Sequence, residues 1–267
     1  MDLLGNLYKG TEINEIWLKC EIIPKHSKLI FQKLIESDNL ITLGIDTKSL
    51  LSKKSIPHFL HFIESNKNLK NLIIFENSFG EQWESISQVL ERSKTPKRLE
   101  IFRSINEERE LNLLSKSLIN NKSLKSLLIY DFKSTITTID SLCKILEENK
   151  KLKELTLDSF NIDEDLLKIL CEGLKKNSTL KKLDLSSNIF SDQGCQHIAS
   201  LLEKNSSITE LSVASCNVRD NGLITLCESL KNNKSITSFD VGKNKITLEG
   251  VIYLSSLIAS TKHLKHM

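Results

Sequence analysis

The 267-residue sequence predicts an α/β solenoid, a stack of about nine coils that each contribute one strand and one helix. Three observations predict this fold class. A motif with apolar residues at its first, fourth and sixth positions recurs along the chain, a helical pattern of apolar residues follows each copy, and the copies begin about 28 residues apart. Such a constant period is typical of repeat proteins, in which each unit buries its apolar face by stacking on its neighbours.

The motif is clearest where Leu180, Leu183 and Leu185 precede Asn188. The same pattern starts at residues 13, 40, 69, 96, 124, 152, 180, 208 and 236, and a partial copy starts at 264. We therefore predict one repeat domain over residues 13–267, preceded by an N-terminal cap of residues 1–12.

Each coil has two halves with different periods. Alternation of apolar and polar residues in the first half predicts a short strand with every second side chain buried. In the second half, apolar residues recur with the spacing of one helix face, as at Cys195, Ile198, Leu201 and Leu202. Near the helix start a glycine recurs, which we expect to permit close packing between coils. These glycines are Gly194, Gly222 and Gly250.

An asparagine stands three residues before several strand starts and marks the end of the preceding helix. These asparagines are Asn121, Asn149, Asn177, Asn205 and Asn233. Asparagine tolerates the left-handed backbone conformation that often closes a helix, so we predict that conformation at these positions.

Taken together, these residues resemble the ribonuclease-inhibitor-like leucine-rich repeats, and the resemblance covers residues 13–267. It implies a horseshoe with parallel strands on the concave face and helices on the convex face, and a function in binding partner proteins. The ninth motif position is Asn or Cys in that family, and it is so at Asn77, Asn188, Cys216 and Asn244. The other copies carry Glu21, Lys48, Ser104, Phe132 and Phe160 there. We expect the turns of the first six copies to depart from the family pattern.

Composition argues against several classes of function. The 37 basic and 34 acidic side chains leave a formal net charge of +3, and only five of the basic residues are Arg. This balance argues against nucleic acid or a membrane surface as the partner. No apolar run approaches the ~20 residues that span a bilayer. Six Cys without a CxxC motif favour a reduced, cytoplasmic setting, and we expect a monomer or weak dimer.

No pattern for catalysis or for a cofactor stands out. Cys143 and Cys171 occupy equivalent positions in neighbouring coils, where we expect small packing residues rather than a disulfide. His58 and His61 share a helix face, but no further ligand has metal-site spacing. We therefore expect no enzyme activity, no metal and no cofactor.

The side chains at the third, fifth and seventh motif positions alternate with the buried ones and are expected to point out of the concave face. Three consecutive coils place Phe75, Phe102 and Tyr130 at the seventh position, with Ile73 and Leu128 beside them. Exposed apolar side chains of this size often mark an interface. The predicted binding residues are Trp17, Ile73, Phe75, Phe102, Arg103, Leu128, Tyr130, Asp158 and Asp184. Two alternatives stay open: the rings stack only on one another, or a segment of the same protein covers them.

Beyond the aromatic residues the predicted concave face turns acidic, through Glu154, Asp158, Asp184, Glu210 and Asp240. An apolar anchor beside an acidic field suits a partner with a hydrophobic segment flanked by Lys or Arg.

The leading functional hypothesis is a scaffold that binds a partner protein on this face. The excess of Lys, Asn and Ile over Arg and Ala indicates an A/T-rich genome, which fits a bacterial effector acting on a host protein in the host cytosol. The alternative is a GTPase-activating regulator that uses an Arg at the rim, for which Arg103 is the best-placed candidate. A third hypothesis is that the chain is the recognition part of a longer protein.

Overall fold

The computed structural model describes residues 14–19, 24–46, 54–75, 79–105 and 107–266. Within these ranges strand and helix alternate along the chain. The strands are β1 (Glu15–Leu18), β2 (Thr42–Asp46), β3 (Asn71–Phe75), β4 (Arg98–Phe102), β5 (Ser126–Tyr130), β6 (Glu154–Asp158), β7 (Lys182–Asp184), β8 (Glu210–Ser212) and β9 (Ser238–Asp240). The helices are α1 (Pro24–Ile35), α2 (Ile56–Ser65), α3 (Trp83–Arg92), α4 (Glu108–Asn120), α5 (Ile136–Glu148), α6 (Glu164–Lys175), α7 (Ser191–Lys204), α8 (Asp220–Asn232) and α9 (Leu248–Ser260).

Several sequence predictions fall outside the described residues. They are the N-terminal cap of residues 1–12, the first motif start at Ile13, Cys20, and the ninth motif positions Glu21, Lys48 and Asn77.

The strands form one parallel sheet whose order follows the chain from β1 to β9. Each strand begins two residues after a predicted motif start, and equivalent residues of successive coils stand side by side. At the far end, His266 forms a further parallel bridge with Ser238. The predicted leucine-rich-repeat solenoid is therefore confirmed, with the strands on the concave face and the helices on the convex face.

One continuous apolar core runs between the sheet and the helices. In the coil that starts at Leu124, the strand contributes Leu127 and Ile129, and α5 contributes Leu142 and Ile145; all five are buried. Each helix packs against the helices of the adjacent coils. Within the described residues, no helix is both long enough and apolar enough to cross a bilayer.

The asparagines at the helix ends behave differently from the prediction. Asn121, Asn149, Asn205 and Asn233 have extended backbones, with φ between −94° and −62° and ψ between 121° and 131°. The left-handed prediction was therefore wrong for these four. The reason is that the asparagine side chain, rather than a left-handed backbone, stabilises the corner between the helix and the next strand through its hydrogen bonds.

The asparagine side chains form a ladder that ties each coil to the preceding one. The Asn149 Nδ2 donates to the carbonyl oxygens of Leu118 (2.6 Å) and Asn121 (3.0 Å) of the coil before. Its Oδ1 accepts from the backbone N–H groups of Lys151 (2.7 Å) and Leu152 (2.9 Å). The equivalent corners contain Asn66, Asn121, Asn177, Asn205 and Asn233. Backbone groups that the helix end leaves unpaired are thereby satisfied.

Left-handed conformations occur instead at the eighth motif position, one residue after strands β4 to β6 and three residues after β7 to β9. The residues are Arg103, Asp131, Ser159, Ser187, Ser215 and Lys243, with φ between 47° and 59°. The N–H of Ser187 donates to the carbonyl of Ala214 in the next coil (2.8 Å), and the N–H of Ser215 donates to that of Gly242 (2.9 Å). Bonds to the next coil thus hold a backbone conformation that non-glycine residues otherwise avoid.

The ninth motif position is filled in two ways. In the later coils Asn188 and Asn244 donate to carbonyls of the preceding coil, Leu157 (2.8 Å) and Val213 (2.8 Å). In the two coils before Asn188, Phe132 and Phe160 are buried at this position with their ring centroids 5.0 Å apart. At Phe132 and Phe160 the departure from the family pattern therefore takes the form of apolar packing, whereas the Ser104 hydroxyl still donates to the Ile74 carbonyl of the preceding coil (3.3 Å).

The glycines near the helix starts are required by close packing, as expected. A Cβ added at Gly222 would lie 2.5 Å from an Oδ1 of Asp192 and 3.0 Å from its Cα. The same Asp192 oxygen accepts the N–H of Arg219 (2.6 Å), and so joins the starts of two successive helices. Gly250 stands in the same relation to Asp220.

Helix α9 leaves apolar side chains uncovered on the last coil. Val251 and Ile258 are 46% and 53% exposed, whereas the equivalent residues of α8, Leu223 and Leu230, are completely buried against the next coil.

Candidate functional site

The candidate site lies on the concave face of the sheet, where the parallel register aligns equivalent side chains. Phe75 of β3 stands beside Phe102 of β4, which stands beside Tyr130 of β5. All three side chains are half-buried. The register therefore brings together the three seventh-position aromatics that the sequence placed in one row.

These three rings form a tight stack. The centroids of Phe75 and Phe102 are 4.4 Å apart with an interplanar angle of 9°, and those of Phe102 and Tyr130 are 4.1 Å apart at 1°. Aromatic pairs of this kind stabilise neighbouring strands. Cross-strand packing, one of the two alternatives, is thus part of what the rings do, and their edges still reach solvent.

Trp17 extends the stack by one ring through an unexpected route. Its centroid is 5.5 Å from that of Phe75, although β2 lies between the two strands. The ring crosses the position of Gly44 in β2, where a Cβ would overlap the indole. We call Trp17, Phe75, Phe102 and Tyr130 the aromatic column. Trp17 is its most accessible member, at 39% exposed. A glycine inside a strand marks close approach, and this signal at Gly44 would have predicted the extension.

Two predicted members of the apolar surface are hardly accessible. Ile73 is 9% exposed and Leu128 only 2%, so the expectation that they face solvent was wrong. Both occupy the fifth motif position, on either side of Glu100. On a concave sheet the longer side chains of adjoining rows close over this central row, and its apolar residues form the floor.

Tyr130 ends the column among charged groups. Burial, together with the nearby Glu100 carboxylate, raises the pKa of its hydroxyl to about 12, and the charge of Arg98 opposes the rise. Tyr130 therefore stays protonated at neutral pH and can donate a hydrogen bond.

A row of ion pairs that was not predicted from the sequence crosses the face beside the aromatic column. Arg98 Nε contacts Glu100 Oε1 (2.5 Å), and Arg98 Nη1 contacts Glu154 Oε2 (2.7 Å) two coils away. Lys182 Nζ reaches the other oxygen of Glu154 (3.1 Å). Burial alone would raise the pKa of the Glu154 carboxyl. The hydrogen bonds from Ser126 and Lys182 and the charge of Arg98 have a larger opposite effect, so its pKa lies below the ordinary value.

Because of these ion pairs, the concave face beyond the aromatic residues is less acidic than predicted. Glu154 is neutralised by two cations and its side chain is only 14% exposed, so it does not present a free negative charge. Asp184 accepts from the backbone N–H (2.9 Å) and hydroxyl (2.5 Å) of Ser186. Asp158 accepts from Ser159 (2.7 Å). Opposite charges at aligned positions of successive coils were the signal that would have revealed the pairing.

Arg103 lies at the end of β4, next to Phe102. Its side chain is 64% exposed, and its Nε contacts Asp131 Oδ2 of the next coil at 2.9 Å. Its guanidinium is therefore held at the rim by a carboxylate of the protein itself.

The cysteines are placed as packing residues. Cys143, Cys171, Cys195, Cys216 and Cys227 are free thiols. Burial raises the pKa of all five, to about 11 for Cys143 and Cys227. They are protonated at neutral pH, and thiols are poor nucleophiles. Among the residues described, no three His, Cys, Asp or Glu side chains are grouped so as to hold a metal ion.

Part of the sequence matches a known repeat family. A family model described as a leucine-rich repeat matches residues 176–199, 204–227 and 232–255. Each segment runs from the end of one helix through a strand into the next helix, which is one coil of the sheet. These three coils are leucine-rich repeats, and the other coils of the sheet share their architecture. The ribonuclease-inhibitor-like subclass stays a prediction.

Three solved structures are similar to parts or most of this chain. Yeast Rad7, from its complex with Elc1, is similar over 96% of this chain and 69% of its own, with a TM-score of 0.55 and 16% identity. The tropomodulin C-terminal domain of Caenorhabditis elegans matches 55% of this chain and 92% of its own (TM-score 0.47, 17% identity). Actin-binding site 2 of leiomodin-1 matches 48% and 76% (TM-score 0.45, 19% identity). No curated protein sequence matches the chain significantly.

Proposed function

We propose that this leucine-rich-repeat protein is an interaction scaffold whose concave face binds a partner protein, with the aromatic column as the anchor. The observation that carries the proposal is the column itself: four rings in contact across five strands, with their edges at the surface. Large rigid rings of this kind supply much of the binding energy at protein interfaces. Rad7 in complex with Elc1 is a protein of similar fold that engages a protein partner.

The charged groups next to the column define the chemistry of the partner. The ion-paired row of Glu100, Arg98, Glu154 and Lys182 presents both signs of charge, whereas Asp158 and Asp184 lie beyond Tyr130. We therefore expect an apolar segment of the partner to contact the rings, with a basic residue following on the side of these two aspartates.

Substitution of the column tests this proposal directly. We expect Phe102→Asp with Tyr130→Asp to weaken partner binding by at least about 30-fold, because truncation of one hot-spot residue typically costs about 2 kcal/mol or more. Affinity capture from cell lysate would identify the bound protein, and titration of the purified pair would give the change in Kd.

The control variant carries the same chemical change on the outer surface. Leu29 and Ile136 are 50% and 60% exposed on helices α1 and α5, and Leu29→Asp with Ile136→Asp should leave binding unchanged. Trp17→Ala gives a milder test at the exposed end of the column. Equal binding by wild type, the column variant and Trp17→Ala would exclude the column as the anchor.

Two finer hypotheses attach to the same face. The A/T-rich composition favours a host-directed bacterial effector, in which case the captured partner is a host protein. The exposure of Arg103 beside Phe102 favours a GTPase regulator, but its side chain would first have to leave Asp131. Stimulated GTP hydrolysis that disappears in Arg103→Ala would support the regulator over the scaffold.

A further inference from the structure

A second surface lies where each helix ends and the next strand begins. At each motif start from residue 40 to residue 264, this surface comprises five residues: the three before the start, the start itself and the one after it. They include thirteen lysines and a single carboxylate, Asp38. The lysines are Lys67, Lys70, Lys94, Lys97, Lys122, Lys125, Lys150, Lys151, Lys153, Lys181, Lys234, Lys262 and Lys265. We call these thirteen residues the lysine edge.

Part of the lysine edge is an unbroken column of like charge. The backbone N–H groups of Lys97, Lys125 and Lys153 donate to the carbonyls of Lys70, Lys97 and Lys125, each at 2.7 Å. Lys181 continues the series, bonding to Lys153 at 2.8 Å. Five consecutive coils therefore stack lysine on lysine at the second motif position, about 4.8 Å apart as neighbouring strands are.

Every member of the lysine edge is exposed. None forms an ion pair with a carboxylate in the described parts of the chain, where the other lysines Lys33, Lys175, Lys182 and Lys231 do. Three of the edge ammonium groups, those of Lys97, Lys150 and Lys234, donate to carbonyls at the end of the preceding turn.

Stabilisation of the fold explains only part of this pattern. Cations near the C-terminal end of a helix interact well with its dipole, which accounts for Lys94, Lys122 and Lys150. The column from Lys70 to Lys181 instead lies one residue before strands β3 to β7, where like charges side by side are destabilising. A local arrangement that opposes stability is expected at functional sites.

The small net charge conceals this edge because the opposite edge is acidic. The helix starts there carry carboxylates at the cap or in the first turn, namely Glu107, Glu108, Glu110, Asp163, Glu164, Asp165, Asp192, Asp220 and Glu249. The net charge of +3 is therefore an average over two oppositely charged sides. Our exclusion of anionic surfaces rested on that average.

The shape and composition of the edge select among anionic partners. Because the strands are parallel and in register, their starts all lie along one edge of the sheet. The edge positions contain no Arg and no aromatic residue, although planar recognition of nucleic acid relies on Arg and on stacking. Lysines arrayed along one edge suit a surface of point charges.

We propose that the lysine edge binds the anionic phospholipid headgroups of a membrane surface. Two open grooves on this edge offer places for headgroup phosphates. One, of about 520 Å³, is lined by Lys67, Lys70 and Lys97 with Asp38 at its side, and the other, of about 780 Å³, by Lys67, Lys94 and Lys97 beside the Arg92–Glu64 ion pair. Bound in this way, the solenoid keeps its concave face perpendicular to the membrane and open to a partner.

Vesicle flotation tests this proposal. Wild type should bind vesicles of phosphatidylcholine mixed with phosphatidylserine, should not bind pure phosphatidylcholine, and should dissociate as salt is added. We expect the edge variant with Lys97, Lys125, Lys153 and Lys181 all changed to Glu to bind at least about 100-fold more weakly, since each lysine near an anionic surface contributes about fivefold.

A matched control separates position from net charge. Lys28, Lys116, Lys144 and Lys168 are exposed on the convex helices, and changing these four to Glu lowers the net charge by the same amount, from +3 by eight to −5. The control should retain binding within about twofold of wild type. The four edge lysines changed to Gln provide a variant without introduced repulsion, to be used should the Glu variant fail to fold.

Three results would overturn the proposal. The first is that wild type binds anionic and neutral vesicles equally well. The second is that the edge variant and the control variant lose vesicle binding to the same extent. The third is RNA oligonucleotide binding that is tighter than vesicle binding and is lost in the edge variant, which would assign the edge to nucleic acid. Because the aromatic column is unchanged in every variant, partner capture reports on the concave face independently.

Discussion

Asn121→Ala is expected to lower the free energy of unfolding by roughly 3–5 kcal/mol. Asn121 is 3% exposed, and its Nδ2 donates to the carbonyl of Leu90 (2.5 Å) in the preceding coil. Its Oδ1 accepts from the N–H groups of Ser123 (2.8 Å) and Leu124 (2.7 Å). Alanine leaves all three backbone groups buried without these partners, and an unpaired buried polar group costs about 1–3 kcal/mol.

Urea denaturation followed by circular dichroism measures the loss, and hydrogen exchange locates it. The Ser123 and Leu124 amides should exchange faster in Asn121→Ala well before the chain unfolds as a whole. The adjacent Asn120 is the control, because it is exposed and bonds only to the Glu91 carboxylate on the surface (2.8 Å). Asn120→Ala should change stability by less than about 0.5 kcal/mol. Equal effects of the two substitutions would show that the corner bonds are not what stabilises the coil.

Phe160→Ala is expected to destabilise the protein by a similar amount, about 3–5 kcal/mol. Phe160 is fully buried and packs on Phe132, which is 6% exposed. At this motif position the following coils have Asn188 and Cys216, which donate to carbonyls of the preceding coil. The two rings fill that space instead, so removing one leaves a cavity that the rigid stack of coils closes only in part.

A thermal melt distinguishes this cavity effect from a general loss of apolar surface. Ile189 follows Asn188 in the next coil but is 52% exposed, so Ile189→Ala should shift the midpoint by only about 1–2 °C. Phe160→Leu retains most of the volume and should fall between the two. A melting point for Phe160→Ala that matches Ile189→Ala would contradict a structural role for the ring pair.

The architecture was predictable because apolar periodicity recurs nine times at nearly constant spacing. Repetition lets weak local signals reinforce one another, so even coils with unusual ninth positions, such as those of Phe132 and Phe160, were placed in the correct register. The solenoid geometry follows from that register, since in a repeat protein each coil packs mainly on its neighbours along the chain.

The corners between helix and strand were predicted less well, because the conformational preference of a residue type takes no account of the residues around it. Asn121 and its equivalents were interpreted through the backbone preference of asparagine, whereas they act through side-chain bonds to another coil. The left-handed positions Ser187 and Ser215 have no propensity signal, because their conformation is held by carbonyls of the next coil.

The candidate site was predicted in outline only. The alignment of Phe75, Phe102 and Tyr130 follows from register alone, and the structure shows it. The burial of Leu128 and the pairing of Glu154 with Arg98 depend on how side chains of adjacent rows bend over a curved sheet. A one-dimensional pattern carries no information about those directions.

The constant spacing of the later coils also bears on how such a protein changes in evolution. The motif starts at 124, 152, 180, 208, 236 and 264 are each 28 residues apart. A tandem duplication of any 28 residues in this region inserts one complete unit without disturbing the phase of those around it. The sheet then lengthens by about 4.8 Å, while the column from Trp17 to Tyr130 stays intact. The aromatic column and the length of the solenoid are therefore encoded in separate parts of the gene, and either can change while the other is kept.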